Sequence, residues 1–147
     1  MFSERIEFVQ RKFGPVFPQD NEAIFFNPET PSHCLSLSLD KLVAYQTLFP
    51  VVDQLETAGI KCVQSISQWK FNLAIISIPK SKKLARHLIY LATKAVPEGL
   101  IIVDGNKSNG IESIIRDLEQ NIKITNFISK AHGKTAWFET PADLEIY

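Results

Sequence analysis

From Phe71 to Gly110 the chain reads FNLAIISIPK, then SKKLARHLIYLATKAVPEG, then LIIVDGNKSNG. Leu73–Ile78 and Leu100–Val103 are nearly continuous apolar runs of strand length. A strand tolerates such a run when both its faces are covered, as in a parallel sheet. Between them Leu84, Leu88, Leu91 and Ala95 recur at i, i+4, i+7 and i+11 and predict one apolar stripe of a helix. Pro97 and Gly99 stop that helix, and the next strand begins at once. Strand, helix and strand form a βαβ crossover, so the chain is expected to fold as an open α/β sheet.

The 147 residues are enough for one domain that buries roughly 70% of its unfolded surface. Lys plus Arg and Asp plus Glu both number 16, so net charge does not point to a polyanionic partner; only a local cluster would. Cys34 and Cys62 have no partners at metal-ligand spacing. There is no signal peptide and no apolar run long enough to cross a bilayer. The cysteines therefore read as reduced, structural thiols of a cytoplasmic protein with no membrane partner.

Phe2, Ile6, Val9 and Phe13 fall on one helical stripe, with Glu4, Arg5, Glu7, Arg11 and Lys12 elsewhere. Gly14, Pro15 and Pro18 then break the chain. A first strand is expected over Asn21–Asn27. The segment NPETPSH that follows has two prolines, so no helix is expected to start directly from the strand end. A second strand at Leu42–Gln46, a helix at Thr47–Ala58 ended by Gly59, and a third strand at Ile60–Ile66 come next, with Ser67–Lys70 as the turn into the crossover. Asn109-Gly110-Ile111-Glu112 has the form of a capping box, opening a helix whose apolar face is Ile111, Ile114, Ile115 and Leu118. Lys123–Ser129 and Thr135–Thr140 are too closely linked to be anything but an antiparallel hairpin. The resulting α/β order, a mostly parallel sheet closed by a C-terminal antiparallel hairpin, is the Rossmann-like methyltransferase pattern. The organisation expected is a helix and linker over 1–20, the domain over 21–141, and the start of a linker to a further domain over 142–147.

In open α/β sheets ligands lie beyond the carboxyl ends of the strands, where strand order reverses. A nucleotide-like cofactor needs glycines after the first strand, a helix N-terminus, and a carboxylate after the second strand for the ribose hydroxyls. This chain offers Asn27-Pro28-Glu29-Thr30-Pro31 without a glycine, then Tyr45-Gln46, an amide in place of the carboxylate. After the fourth strand stands Ser77-Ile78-Pro79-Lys80, where a base-nitrogen methylase would carry an Asn/Asp-Pro-Pro-aromatic turn. No catalytic, cofactor-binding or metal-binding residue is therefore assigned.

Asp104-Gly105-Asn106-Lys107-Ser108-Asn109-Gly110 and Ser129-Lys130-Ala131-His132-Gly133-Lys134 with Trp137-Phe138, set in the crossover that precedes them, resemble the first domain of the tandem-domain small-subunit rRNA guanine-N2 methyltransferases (the RsmC type). The resemblance covers roughly Ala23 to Pro141. It implies that S-adenosylmethionine binds a second, catalytic C-terminal domain. The first domain, to which this chain corresponds, would lack the cofactor site, support folding of the second and help hold ribosomal RNA. Two further readings stay open: a small active methyltransferase with an atypical site, and a protein–protein interaction module.

From Lys70 through Lys94 there are six bases and no acid. Lys83, Arg86, Tyr90 and Lys94 share one solvent stripe, which reads either as a solvated face or as a phosphate-binding surface. The candidate RNA-binding set is Lys80, Lys82, Lys83, Arg86 and Lys94, extended by Lys107, Lys130, His132 and Lys134 from loops. Asp104–Lys107 reads first as a turn leading to a helix cap. Of Trp137 and Phe138, one should face the core and the other a helix or partner.

Overall fold

The computed structural model describes residues 2–14, 22–66 and 70–141. The elements are α1 (Phe2–Phe13), β1 (Glu22–Phe26), α2 (Pro31–Leu35), β2 (Lys41–Tyr45), α3 (Phe49–Thr57), β3 (Lys61–Val63), β4 (Leu73–Ser77), α4 (Lys82–Ala95), β5 (Leu100–Asn106), α5 (Ile111–Glu119), β6 (Asn126–Lys130) and β7 (Gly133–Glu139). The seven strands lie in the order β3-β2-β1-β4-β5-β7-β6. Pairs among β1 to β5 are parallel, and β7 is antiparallel to both β5 and β6. The order reverses between β1 and β4, so the crevice of the sheet opens beyond the carboxyl ends of those two strands.

The central strands are apolar because both their faces are covered. Ile24, Ala74, Ile76, Ile101, Val103 and Phe138 point toward Ala85, Leu88, Ile89 and Ala92 of α4 and the four apolar residues of α5. The residues between them, Phe25, Ile75, Ile102 and Trp137, pack on the other face against Phe2, Ile6 and Val9 of α1 and Leu55 of α3. Trp137 and Phe138 thus face opposite sides and both are buried. The Phe13 ring meets the Trp137 ring edge-on at 5.2 Å, extending the α1 contact.

Several local expectations change. A short helix, α2, does form between β1 and β2: Pro31 sits at its start, where a missing N–H costs nothing. The buried face of α4 is turned from the expected stripe toward Ala85, Leu88, Ile89, Ala92 and Ala95, leaving Leu84 exposed. Small alanines let that helix lie close to the sheet. The capping box does not form. Gly110 is the N-cap of α5 in the left-handed region (φ +83°), because Lys107–Asn109 makes a 3-10 turn first. Nor is Asp104–Asn106 a turn: β7 pairs with β5 as far as Asn106 opposite Gly133, which keeps all three residues extended. The hairpin link shrinks to Ala131 and His132, both at positive φ (51° and 59°), as a two-residue turn matched to strand twist requires. α3 and β3 are shorter than expected at both ends. Most of the Ser67–Lys70 turn, the 15–20 linker and the 142–147 tail lie outside the described residues.

Candidate functional site

At the carboxyl ends of β1 and β2 the polar side chains bond to one another's backbone. Gln46, buried, donates from Nε2 to the Pro28 carbonyl at 3.0 Å, and its Oε1 accepts from the Thr47 and Leu48 amides at 3.0 and 3.1 Å. Asn27 adopts φ +65° and donates from Nδ2 to the Ser77 carbonyl at 2.9 Å, tying the end of β1 to the end of β4. The loop between β1 and α2 has no glycine, and α2 itself is a single short turn of helix.

Beyond β5 lies a feature that the stripe on α1 should have revealed. Arg5 belongs to the arc Phe2, Arg5, Ile6, Val9, at i, i+3, i+4 and i+7, and is 1% exposed. Its Nε donates to Asp104 Oδ2 at 2.7 Å and its Nη2 to Asp104 Oδ1 at 2.9 Å, a bidentate fork. Asn106 Oδ1 accepts a further bond at 3.1 Å, and the carbonyls of Ala131 and Lys130 accept at 3.0 and 3.4 Å. Thr135 donates its hydroxyl to Asp104 at 2.5 Å. One charged side chain of α1 thereby joins β5 to the β6–β7 turn. Arg5 therefore stands on the packed stripe of α1, and not elsewhere on the helix as the apolar spacing alone predicts. An acid ending an otherwise apolar strand, Asp104, is the other half of the clue.

Beside this pair is a cavity of about 180 Å³ lined by Phe2, Glu29, His33, Ser77, Asn106 and Asn109, with Arg5 and Asp104 in its wall. His33 packs its ring on Phe2 at 5.0 Å. Burial lowers its pKa below the ordinary value, with Glu29 opposing, so the ring is neutral at pH 7. Its Nδ1 is the buried side-chain polar atom left without a hydrogen bond among the described residues. Asn109 donates to the Ile78 carbonyl at 3.2 Å. Cys34 lies in the α1 core, where burial pushes its thiol up to about 12; burial also raises Cys62. Neither is a nucleophile at neutral pH.

All of the candidate basic residues except Lys80 and Lys94 fall into two groups. Lys107, Lys130, His132 and Lys134 all line one depression of about 280 Å³, shared with Glu112 and Ser129, although the Lys130 ammonium turns to the α1 face. Lys107 is near Glu112 at 3.8 Å, and its amide donates to the His132 carbonyl at 2.8 Å. Lys130 and Lys134 lie over the rings of Phe8 and Phe127. Lys82, Lys83 and Arg86 line a shallow groove on α4 with His87 and Tyr90. Two of these cations are paired across to α5: Arg86 with Asp117 at 2.8 Å and Lys82 with Asp117 at 3.1 Å. The hydrogen bond from Arg86, then that from Lys82, holds the Asp117 carboxyl below its usual value. The acid-free run of α4 is thus partly neutralised by its neighbour, which no one-helix count reveals. Lys94, on the last turn of α4, is about 18 Å along the axis from Lys82 and stacks on Tyr90. Lys80 precedes the helix and is exposed.

Among the described residues no helix is long and apolar enough to cross a membrane, and no group of three or more His, Cys, Asp or Glu is placed to hold a metal ion. The sequence profile of the family described as methyltransferase small domain N-terminal matches residues 19–137. No curated protein matches the sequence. Among solved structures, the 16S rRNA N2 G1207 methyltransferase (RsmC) of T. thermophilus, crystallised with AdoMet and guanosine, superposes with a TM-score of 0.74 at 14% identity. It covers 96% of this chain but only 40% of its own length is matched. A methyltransferase-like protein of Pseudomonas syringae gives a TM-score of 0.68 at 14% identity, covering 90% of this chain and 99% of that one. The N-methyltransferase NodS of Bradyrhizobium japonicum gives 0.70 at 11% identity, covering 95% and 94%. At these identities the likeness is one of fold.

Proposed function

The chain belongs to the methyltransferase small domain N-terminal family, and from that membership we propose that it serves a 16S rRNA guanine-N2 methyltransferase as its non-catalytic first domain. In this reading it holds RNA backbone in the cytoplasm and supports a C-terminal catalytic domain that binds S-adenosylmethionine. The observation that carries the reading is at the crevice of the sheet. Gln46 stands where a ribose-binding carboxylate would be needed, and both ends of its amide are committed to Pro28, Thr47 and Leu48. Asn27 bridges β1 to β4 across the floor that the cofactor would have to approach. These side chains offer an adenosyl cofactor neither a free carboxylate at the end of β2 nor a glycine turn after β1.

The RNA-holding half of the reading is supported by the depression that Lys107, His132 and Lys134 line, with Lys130 at the hairpin beside it. Lysines gathered around one concave surface bind phosphate without reading sequence. Two measurements test the proposal. Calorimetry of the chain with S-adenosylmethionine should give no binding heat; micromolar binding overturns the non-catalytic assignment. RNA binding followed from low to moderate salt should weaken in Lys83→Ala/Arg86→Ala and in Lys130→Ala/Lys134→Ala. The log–log slope should flatten by about one for each phosphate no longer neutralised. Unchanged affinity and slope in both variants would remove the RNA-holding role.

A further inference from the structure

The cavity beside Arg5 and the basic depression are neighbours with different linings. In the depression Lys107 and Lys134 outnumber Glu112, so a phosphate is drawn there. In the cavity Arg5 and Asp104 cancel one another through their bidentate pair, and Glu29 brings an exposed carboxylate to the lining. A carboxylate there accepts from the N–H groups of a neutral ring and offers nothing to a phosphate.

The lining has the parts that such a ring needs. Phe2 and Ile78 are apolar walls. Asn106 accepts from Arg5 through Oδ1, which leaves its Nδ2 as a donor. Asn109 donates Nδ2 to Ile78, which leaves its Oδ1 as an acceptor. His33 brings a buried Nδ1 that has no hydrogen-bond partner among the described residues, an arrangement that calls for an explanation in a native fold. A space of about 180 Å³ is small for a drug-sized ligand and of the order of one planar heterocycle.

Chain connectivity joins the two sites. Asn106 faces the cavity and Lys107, the next residue, faces the depression. The Arg5 guanidinium in the cavity wall is bonded to the carbonyls of Lys130 and Ala131, in the hairpin that forms the far side of the depression. We infer that, when single-stranded RNA lays its backbone in the basic depression, the cavity receives one unpaired base of that strand, with Glu29 at the mouth accepting from the base's N–H groups. The inference rests on the RNA-holding role proposed above and adds to it the part of the nucleotide that carries no charge.

Abasic RNA separates the two. A mixed-sequence single-stranded hexaribonucleotide and the matching hexamer without bases present the same phosphates to the full chain. The intact strand should bind about tenfold more tightly, the contribution of one stacked base. Glu29→Ala, an exposed position whose change leaves the fold intact, should remove most of that difference and leave abasic binding unchanged. The side-chain amide NMR signals of Asn106 and Asn109 should move with the intact strand and stay still with the abasic one. If both hexamers bind equally, with Glu29→Ala silent, the base site is overturned while the phosphate-holding role stands. If neither hexamer binds at low salt, the RNA-holding role fails and the base site falls with it.

Discussion

Arg5 makes five hydrogen bonds with five N–H groups, all to protein acceptors. A buried pair is a weak source of net stability, but removing one partner leaves a charge that nothing compensates. Arg5→Ala should therefore destabilise by about 3–5 kcal/mol, read from urea unfolding. Arg5→Met with Asp104→Leu should recover part of that loss, since neither charge then remains. Gly133 lies against this same cluster: a Cβ there would collide with Arg5 Nη1 and the Gly105 carbonyl. The backbone carbonyl cannot swing away as a flexible side chain would, so Gly133→Ala should cost roughly 1–3 kcal/mol. His33 supplies a pH dependence. Burial lowers its folded-state pKa below 6.5, its ordinary value, so the unfolded chain binds the proton more readily. Stability from this group is complete above pH 6.5 and is lost as pH falls toward the folded-state value. Urea midpoints measured from pH 7.5 to 5.5 should decline more in the native protein than in His33→Gln.

Among the elements, α1 is the one whose importance the family boundaries understate, since the matched region begins at residue 19. Phe2, Ile6 and Val9 are each at most 3% exposed, and burying such side chains contributes about 1.5–3 kcal/mol apiece. Deleting residues 1–14 would also strand Asp104 and uncover Phe25, Ile102 and Trp137. The sum is comparable to the whole stability of an ordinary domain. The truncated chain should therefore show no cooperative thermal transition by circular dichroism, and it should elute as aggregate. The sequence made the strands and most helices legible because apolar runs and stripes follow directly from two-sided and one-sided burial. The parallel crossover and the antiparallel hairpin both form, with strand ends shifted by a few residues from those patterns. What stayed illegible depends on contacts distant in sequence. Asp104–Asn106 looks like a turn until β7 pairs with it, and Asn109 looks like a cap until Ile78 claims its amide. Arg5 falls outside the apolar stripe until Asp104, 99 residues away, is set beside it. The basic residues of the β5–α5 and β6–β7 loops are readable as candidates, yet only the fold shows that four of them share one depression while Lys94 stands apart.

For the whole molecule, 16 basic residues balance 16 acidic ones, so there is no long-range field to draw a polyanion to it. For the proposed RNA-holding role, attraction must come from patches within about a Debye length of a strand, roughly 8–10 Å at ordinary salt. Under those conditions a single acid inside a basic patch has a large say. Asp117 is such an acid: it engages both Lys82 and Arg86, two of the three cations of the α4 groove. Its contacts are partly exposed, with side chains 45%, 46% and 26% accessible, so the pairs themselves add little to folding stability. Their effect on binding is larger, because every phosphate arriving at the groove must compete with a carboxylate already there. Asp117→Asn keeps the shape of the side chain and removes the competitor. It should leave the thermal midpoint almost unmoved, tighten RNA binding several-fold at low salt, and steepen the salt slope as Lys82 and Arg86 take up phosphates of their own. A titration by fluorescence anisotropy at three or four salt concentrations reads affinity and slope together. If the substitution changes neither, α4 is only a solvated helix and the strand is held at the hairpin depression alone. If affinity rises at every salt by the same factor, with no change in slope, the gain comes from relieved repulsion and not from new phosphate contacts.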